Sequence, residues 1–397
     1  MQKKTIRDIE VAGKRVLARV DFNVPLDTNT GDISDDSRIR ASLPTINYLV
    51  AHKARIILCS HLGRPGGRVV EGLRIGPVAE HLSYLIGLPV NTVRDCVGPE
   101  VENRVKALKE GDILFLENLR FHPEEEANDT HFARELAQLA DIYVNDAFGT
   151  AHRAHASTVG VAKYLPAVAG FLMETELAVM GKLLSTPDHP FACVIGGAKV
   201  SDKIGLVQNM LKKVDILLVG GGMAATFLKA QGYETGHSPV EEDKLNLAKK
   251  LLKEAEEWKV PLLLPVDAVV ADEIKAGVPT KVVPTVQIPA GTYIVDIGPQ
   301  TIELFSSELR TCHTIIWNGP MGIYEISQYA QGTRAVASLL ANTNSTTIIG
   351  GGSSAEIVEE MGLTNKMTHV STGGGASLRL LEGVALPGVK ALLNKNE

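Results

Sequence analysis

The sequence predicts an α/β fold built on parallel, doubly wound sheets and divided into two domains. Three observations carry this. Short apolar runs recur along the chain, each followed by a turn and then a helical pattern. The runs are apolar on both faces, as strands covered by helices on both sides must be. At 397 residues the chain also exceeds the size at which a single core usually divides.

In the first half the strand candidates are Arg15–Val20, Arg55–Ser60, Ile113–Leu116 and Ile142–Asn145, with helical stretches near Leu43–Ala51, Val78–Ile86, Val101–Leu108 and Phe132–Leu139. The segment Pro166–Leu184 reads as one connecting helix with Pro166 at its start, and the domain boundary falls inside it. This gives an N-terminal domain over 1–170 and a C-terminal domain over 171–382 that includes the connector. The second half repeats the pattern, with strands at Ala192–Ile195, Ile216–Val219, Pro261–Leu264, Tyr293–Asp296, Thr314–Trp317 and Thr346–Ile349. Its helices include Lys203–Lys212, Glu242–Trp258 and Ala355–Met361.

Composition narrows the function classes. Hydrophobic residues make up 45% and charged residues 22%, an ordinary globular balance. A formal charge of −6 and a pI near 6.0 argue against a nucleic-acid partner. The apolar runs are too short to span a membrane, and the first residues contain no apolar stretch of a secretory signal. Cys59, Cys96, Cys193 and Cys312 form no CxxC pair, so reduced thiols in a cytoplasmic protein are expected rather than disulfides or zinc.

The two halves carry different phosphate-handling residues. The first places Arg38, His61, Arg64, Arg120 and Arg153 just after strand-like runs. Guanidinium forks hold small, highly charged acids through paired hydrogen bonds. Asp21 and Asn23 end the first strand on one face and could bond hydroxyls of such an acid. The second half instead places glycine clusters after its strands: Gly196-Gly197, Gly220-Gly221-Gly222, Gly350-Gly351-Gly352 and Gly373-Gly374-Gly375. Such turns bring backbone N–H groups close to nucleotide phosphates. Lys199 and Lys203 would share one helix face and suit adjacent phosphates, the alternative being a solvated face. Walker A is absent, and so is the HRD loop of protein kinases. G-x-G-x-x-A occurs twice, at Gly220–Ala225 and Gly350–Ala355, a pattern that tight turns alone also produce. His61, His152 and His155 lack the compact spacing of a zinc site. Together these residues point to a kinase outside the P-loop class that brings a small anion to a nucleotide.

Several segments resemble phosphoglycerate kinases: RVDFNVP (Arg19 to Pro25), SHLGRP (Ser60 to Pro65), ENLRFH (Glu117 to His122), NDAFGTAHRAHAS (Asn145 to Ser157), GGAKVSDK (Gly196 to Lys203), WNGPMG (Trp317 to Gly322) and STGGGAS (Ser371 to Ser377). The resemblance covers essentially the whole chain. It implies two Rossmann-like domains facing a cleft, a monomer, and a C-terminal tail (383–397) that packs back on the N-terminal domain. It implies phosphoryl transfer between 1,3-bisphosphoglycerate and ADP, giving 3-phosphoglycerate and ATP, with Mg²⁺ accompanying the nucleotide. Asp21 and Asn23 would hold the hydroxyl and carboxyl end of the acid. His61, Arg64, Arg120 and Arg153 would hold its phosphate. Arg38 and Lys199 would stabilise the transferring group, with N–H donors from Gly373, Gly374 and Gly375. Gly197, Lys203, Gly221, Gly222, Asn318, Pro320, Glu325, Gly352, Ser353 and Ser354 would form the nucleotide site.

Two positions depart from the family pattern. Ser353 stands where the family carries an Asp that ligates Mg²⁺–nucleotide, so no metal ligand is assigned with certainty. Arg379 stands where the family commonly has Glu. Ser353 motivates an alternative reading, a non-catalytic nucleotide-binding relative on the same scaffold. A dehydrogenase, motivated by G-x-G-x-x-A, is a third.

Overall fold

The computed structural model describes residues 2–27 and 30–395. Met1, Thr28, Asn29, Asn396 and Glu397 lie outside the described residues, so the two extreme ends of the domain ranges above fall there. The chain divides into two compact units, Met1–Gly181 with Ala385–Glu397, and Lys182–Val384.

The first unit holds β1 (Arg15–Val20), β2 (Arg55–Cys59), β3 (Val90–Thr92), β4 (Ile113–Phe115), β5 (Ile142–Asp146) and β6 (Ala167–Ala169). They form one parallel sheet in the order β3-β4-β2-β1-β5-β6. The order reverses beside β1, and in such sheets ligands bind outside the carboxyl ends of the strands at that point. Alternating residues of β1 and β2, among them Val16, Ala18, Ile56 and Leu58, pack with Ile39, Ile46 and Leu49 from the helix Ser37–Ala51. That helix begins six residues earlier than its apolar pattern indicated, so Arg38 lies in its first turn. Segment 385–395 closes the unit: Gly388 N–H donates to Ala151 O, Leu393 N–H to Ala167 O, and Lys4 N–H to Leu393 O.

The connector departs from the single helix expected over Pro166–Leu184. Residues 167–169 are β6, and the helix runs over Phe171–Ser185. Ala-Val-Ala fits an edge strand beside β5. The helix start is then pinned by Asp146, whose Oδ1 accepts the Leu172 and Met173 N–H groups at 2.9 and 3.4 Å. Gly170 is required there, because a Cβ would overlap the Asp146 carboxylate. The compact division comes at Gly181, so most of this helix packs with the first unit.

In the second unit β7 (Phe191–Ile195), β8 (Ile216–Val219) and β9 (Leu262–Leu263) lead into a separate sheet of β10 (Asp267–Ala271), β11 (Thr280–Pro284) and β12 (Tyr293–Ile297). Then β13 (Thr314–Asn318), β14 (Thr346–Ile349) and β15 (His369–Val370) complete the parallel sheet. Its order is β15-β14-β13-β7-β8-β9. Ranked along the chain and read from β9 this is 3-2-1-4-5-6, the Rossmann order, with its reversal between β7 and β13. Tyr293–Ile297 therefore belongs to a small antiparallel sheet and not to the main one. Its neighbours are joined by short connections, whereas parallel pairing needs a crossover of roughly a dozen residues or more. All four cysteines are free and buried. Among the described residues no helix is long and apolar enough to cross a membrane.

Candidate functional site

The first candidate site lies at the carboxyl ends of β1, β2, β4 and β5. Asp21 follows β1 and is buried; its Oδ2 accepts from Arg38 Nη1 at 2.9 Å, while Oδ1 has no hydrogen-bond partner. An orphaned carboxylate oxygen beside an arginine is a ready acceptor for a ligand hydroxyl. Asn23 uses its side-chain oxygen on the Gly63 N–H, at 2.8 Å. Arg120 Nη1 donates to Gly63 O at 2.9 Å, so the turn after β2 is clamped from both sides. Gly63 has φ +62°, and a Cβ would press to 2.8 Å from Leu73 Cδ2, which accounts for the glycine in SHLGRP.

His61 is buried, 3.9 Å from Asp21 Oδ1. Burial first, then the Arg19, Arg120 and Arg38 guanidiniums and His155, hold its pKa well below the ordinary histidine range. Its ring is therefore neutral. His155 is lowered to about 4 by burial and by Arg19, Arg120 and Arg153. Arg120 is also buried; its Nε lies 3.1 Å from Glu126 Oε1, but outside hydrogen-bond alignment. Arg153 is exposed and donates from Nε to His152. Arg64 is exposed on the Gly63 turn and makes no ion pair or hydrogen bond with the cluster among the described residues. Seven predicted residues thus sit at one end of one sheet, six of them linked to the cluster by contacts or mutual electrostatics, and Arg64 by its turn alone.

Beneath them lies a layer the sequence did not single out. Arg19 sits within β1 at 1% exposure and donates from Nε to Ser157 Oγ at 3.0 Å. Ser157, on a π turn over Ala156–Gly160, donates from Oγ to Glu125 Oε1 at 2.6 Å and from N to Oε2 at 2.9 Å. Glu125 is fully buried. The available signal was an arginine in the middle of an otherwise apolar strand, which only a partner can make tolerable.

The second candidate site is largely backbone. Gly196 N–H donates to Asn318 O and Gly197 N–H to Pro320 O, each at 3.0 Å, so the turns after β7 and β13 lock together. Gly221 N–H joins them through Met321 O. A Cβ on Gly196 would overlap Pro320 O, and one on Gly319 would overlap Gly196 O. A Cβ on Gly221 would lie 2.6 Å from Gly197 N, on backbone at φ +68°. These glycines are present because three chain turns pass within backbone contact.

Lys199 and Lys203 do not share a helix face. The helix begins at Ile204, and buried Val200 anchors a turn whose carbonyl accepts the Lys203 N–H. Lys199 is exposed on this turn. Lys203 folds inward, with Nζ donating to Asn318 O at 2.9 Å and to Asn318 Oδ1, and burial lowers its pKa to about 8. Asn318 Nδ2 in turn donates to Gly350 O, and Ser354 Oγ accepts the Gly319 N–H at 2.6 Å. Ser354 is buried, so its hydroxyl stitches the turns rather than facing a ligand. Gly352 opens the helix Gly352–Glu360, with Ser353 half-buried and Glu325 exposed. Tyr324 bonds Glu356 Oε2 at 3.2 Å and also reaches Ser353. The Gly373 N–H is taken by Ser371 Oγ at 3.1 Å. Gly374, at φ +49°, precedes the helix that starts at Gly375. Arg379 pairs with Glu382 at 3.4 Å, exposed, on that same helix.

Asp95, Cys96 and His122 are a group of possible metal ligands whose donor atoms lie within 4.8 Å of one another. Each is already partnered: His122 Nε2 with Asp95 Oδ1 at 2.6 Å, and the Cys96 thiol with Glu117 O at 3.0 Å.

A family model described as phosphoglycerate kinase matches residues 6–384. Curated relatives named phosphoglycerate kinase include those of Pelotomaculum thermopropionicum, 57% identical, and Moorella thermoacetica, 58% identical, each over 395 residues and 100% of both chains. Among solved structures, the phosphoglycerate kinase of Coxiella burnetii is 41% identical with a TM-score of 0.89. That of Pyrococcus horikoshii is 33% identical with a TM-score of 0.85, and each match covers 98% of both chains.

Proposed function

The chain belongs to the phosphoglycerate kinase family, and from that premise we propose how its residues perform the family reaction. The reaction is reversible phosphoryl transfer between 1,3-bisphosphoglycerate and ADP, a step of glycolysis. The observation that carries the residue assignment is the gathering of Asp21, Asn23, Arg38, His61, Arg120 and Arg153 around one set of strand ends. The acid substrate binds there. Arg64, Arg120, Arg153 and His61 take its phosphate, and the free Asp21 Oδ1 accepts its hydroxyl. Asn23 offers its amide N–H groups, since its oxygen is already used on Gly63.

The nucleotide binds on the second unit, against the interlocked turns of Gly197, Gly221, Gly222, Asn318 and Pro320, with Glu325, Gly352 and Ser353 at its edge. Lys203 leaves Asn318 to meet the phosphates, a desolvated ammonium exchanging a carbonyl partner for an anion. Arg38 and Lys199 neutralise the group in flight, with the Gly374 and Gly375 backbone. No general base is needed, because the acceptor in the direction of ATP use is a carboxylate, ionised at neutral pH. Positioning and charge neutralisation carry the rate. The two substrates bind on different units, so closure of one unit towards the other is part of this proposal and would exclude water.

Mg²⁺ fits as a companion of the nucleotide. The turn offers a hydroxyl, Ser353, and one carboxylate, Glu356, rather than an all-protein cage, which suits a cation that keeps phosphate and water ligands. When bound it supplies charge neutralisation. The proposed form is a cytoplasmic monomer acting on small molecules. A coupled assay with 3-phosphoglycerate, ATP and Mg²⁺ should show turnover. Nucleotide binding without turnover would support the non-catalytic reading, and NAD(H) binding the dehydrogenase.

A further inference from the structure

The hydrogen-bond directions in the buried layer under the first site are fixed by chemistry. A guanidinium has five N–H donors and no acceptor. Arg19 Nη2 lies 3.1 Å from His61 Nδ1, with both residues buried. Nδ1 must therefore accept, and it carries no proton. At the other end of Arg19, Nε donates to Ser157 Oγ, and that hydroxyl's own proton goes to Glu125 Oε1. Glu125 takes the Ser157 N–H at Oε2 and the Ser157 hydroxyl at Oε1; burial pushes its pKa up, while Arg19 and the two Ser157 bonds favour the carboxylate. The relay runs one way, from Arg19 outward to His61 and to Glu125.

The remaining ring nitrogen, His61 Nε2, has no hydrogen-bond partner among the described residues. The charged and titratable groups facing His61 are Arg19, Arg38, Arg120, His155 and Asp21. Asp21 Oδ1 stands 3.9 Å from Nδ1, beyond hydrogen-bond reach, so it does not compete with Arg19 for that nitrogen. Four of the five neighbours are cationic or basic, and together with burial they disfavour a positive charge on the ring.

We propose that Arg19 is a positioning residue: backed by the buried Ser157–Glu125 pair, its guanidinium locks His61 in the Nε2–H tautomer, so that His61 meets the acid substrate as a neutral, pre-aimed donor rather than as a cation. This deepens the substrate assignment of the first site and rests on it. The advantage is directional. An unlocked neutral imidazole divides between two tautomers, and only one presents a donor to the ligand. Glu125 balances the charge of Arg19 where burial would otherwise make that charge costly.

The test is ¹⁵N NMR of the histidine-labelled full chain near neutral pH, together with calorimetry of 3-phosphoglycerate and of ADP. In the wild type, His61 should show a bare Nδ1 and a protonated Nε2. An Nδ1–H tautomer or an imidazolium would overturn the proposal. Arg19→Met alone leaves Glu125 as an unpaired buried carboxylate, so the double variant Arg19→Met/Glu125→Gln removes the lock and its counter-charge together. It should populate both His61 tautomers and bind 3-phosphoglycerate roughly twofold more weakly, because only about half of the rings then present the donor, with ADP binding unchanged. A folded double variant with an unaltered tautomer and unaltered 3-phosphoglycerate affinity also overturns it. If the double variant fails to fold, the wild-type spectrum decides. A wild type that does not bind 3-phosphoglycerate sinks the substrate assignment instead, and its spectrum still decides whether Arg19 sets the tautomer.

Discussion

In the first unit the strand ends are lined by side chains, Asp21, His61 and Arg120, joined by Arg38 from the first turn of a helix and propped from below by Arg19 and Glu125. In the second they carry glycines whose missing Cβ atoms let three turns bond one another through their backbones. Both sheets are parallel and six-stranded, in different strand orders, and they differ in which part of the chain lines the strand ends. A side-chain site is separable from its scaffold, because an arginine can be cut back while the strand beneath it stays packed. A backbone site is not separable, because the donors that would touch a phosphate belong to the same turns that hold the strands in register. Function and stability should therefore part company in the first unit and move together in the second.

The largest expected effect tests the separable side. Arg38→Ala should lower turnover by roughly 10³-fold, about 4 kcal/mol of transition-state stabilisation, as loss of an arginine finger does. Arg38 is 37% exposed, but its loss leaves the buried Asp21 carboxylate without a hydrogen-bond partner, so stability should fall by about 1–3 kcal/mol, less than the effect on turnover. Near-normal turnover would remove Arg38 from the reaction; a large loss of stability would blur the contrast between the units.

Gly196→Ala tests the inseparable side. Its Cβ would overlap Pro320 O, which is backbone and has little room to yield. It should cost roughly 3 kcal/mol of stability, at the upper end of overpacking penalties, and weaken ADP binding in parallel. Denaturant melts paired with ADP calorimetry read both. Loss of ADP binding with stability unchanged would show that this turn is separable after all.

The smallest effect concerns a half-buried side chain at the edge of the second site. Ser353→Asp should lower the Mg²⁺ concentration for half-maximal activity by roughly fivefold, since a unit charge pair at ~4 Å in water is worth about 1 kcal/mol. Superimposable Mg²⁺ titrations of wild type and variant would mean that this position does not face the metal.

The apolar runs were enough to place most strands of both parallel sheets, because a strand buried on both faces leaves a run that little else in the chain imitates. Five strands were missed: Ala167–Ala169 was absorbed into the expected connecting helix, and the buried Asp267–Ala271 was not singled out. Val90–Thr92 and His369–Val370 are edge strands with little apolar content, and Thr280–Pro284 is mostly exposed. His61, Arg64 and Arg120 do follow β2 and β4 as expected from their local context, whereas Arg38, expected just after a strand, lies in the first turn of a helix. The relay beneath them was not legible. Arg19 and Ser157 are 138 positions apart, and Ser157 and Glu125 are 32 apart, so their pairing exists only in three dimensions. The shared face of Lys199 and Lys203 failed for a related reason: the helix start was placed by pattern, and the buried Val200 delays it.

The return of segment 385–395 to the first unit has a consequence for how the chain is made. The first unit is not contiguous: roughly two hundred residues, Lys182 to Val384, are threaded between its sheet and its last segment. During synthesis the edge beside Ala167 and the N-terminal segment at Lys4 wait for Leu393, a partner that emerges only after the entire second unit. Closing so long a loop in an unfolded chain is entropically costly, and a second unit that has already folded replaces the loop by a compact body. The order of assembly is thereby written into the connectivity: the second unit can finish by itself, and the first can finish only last.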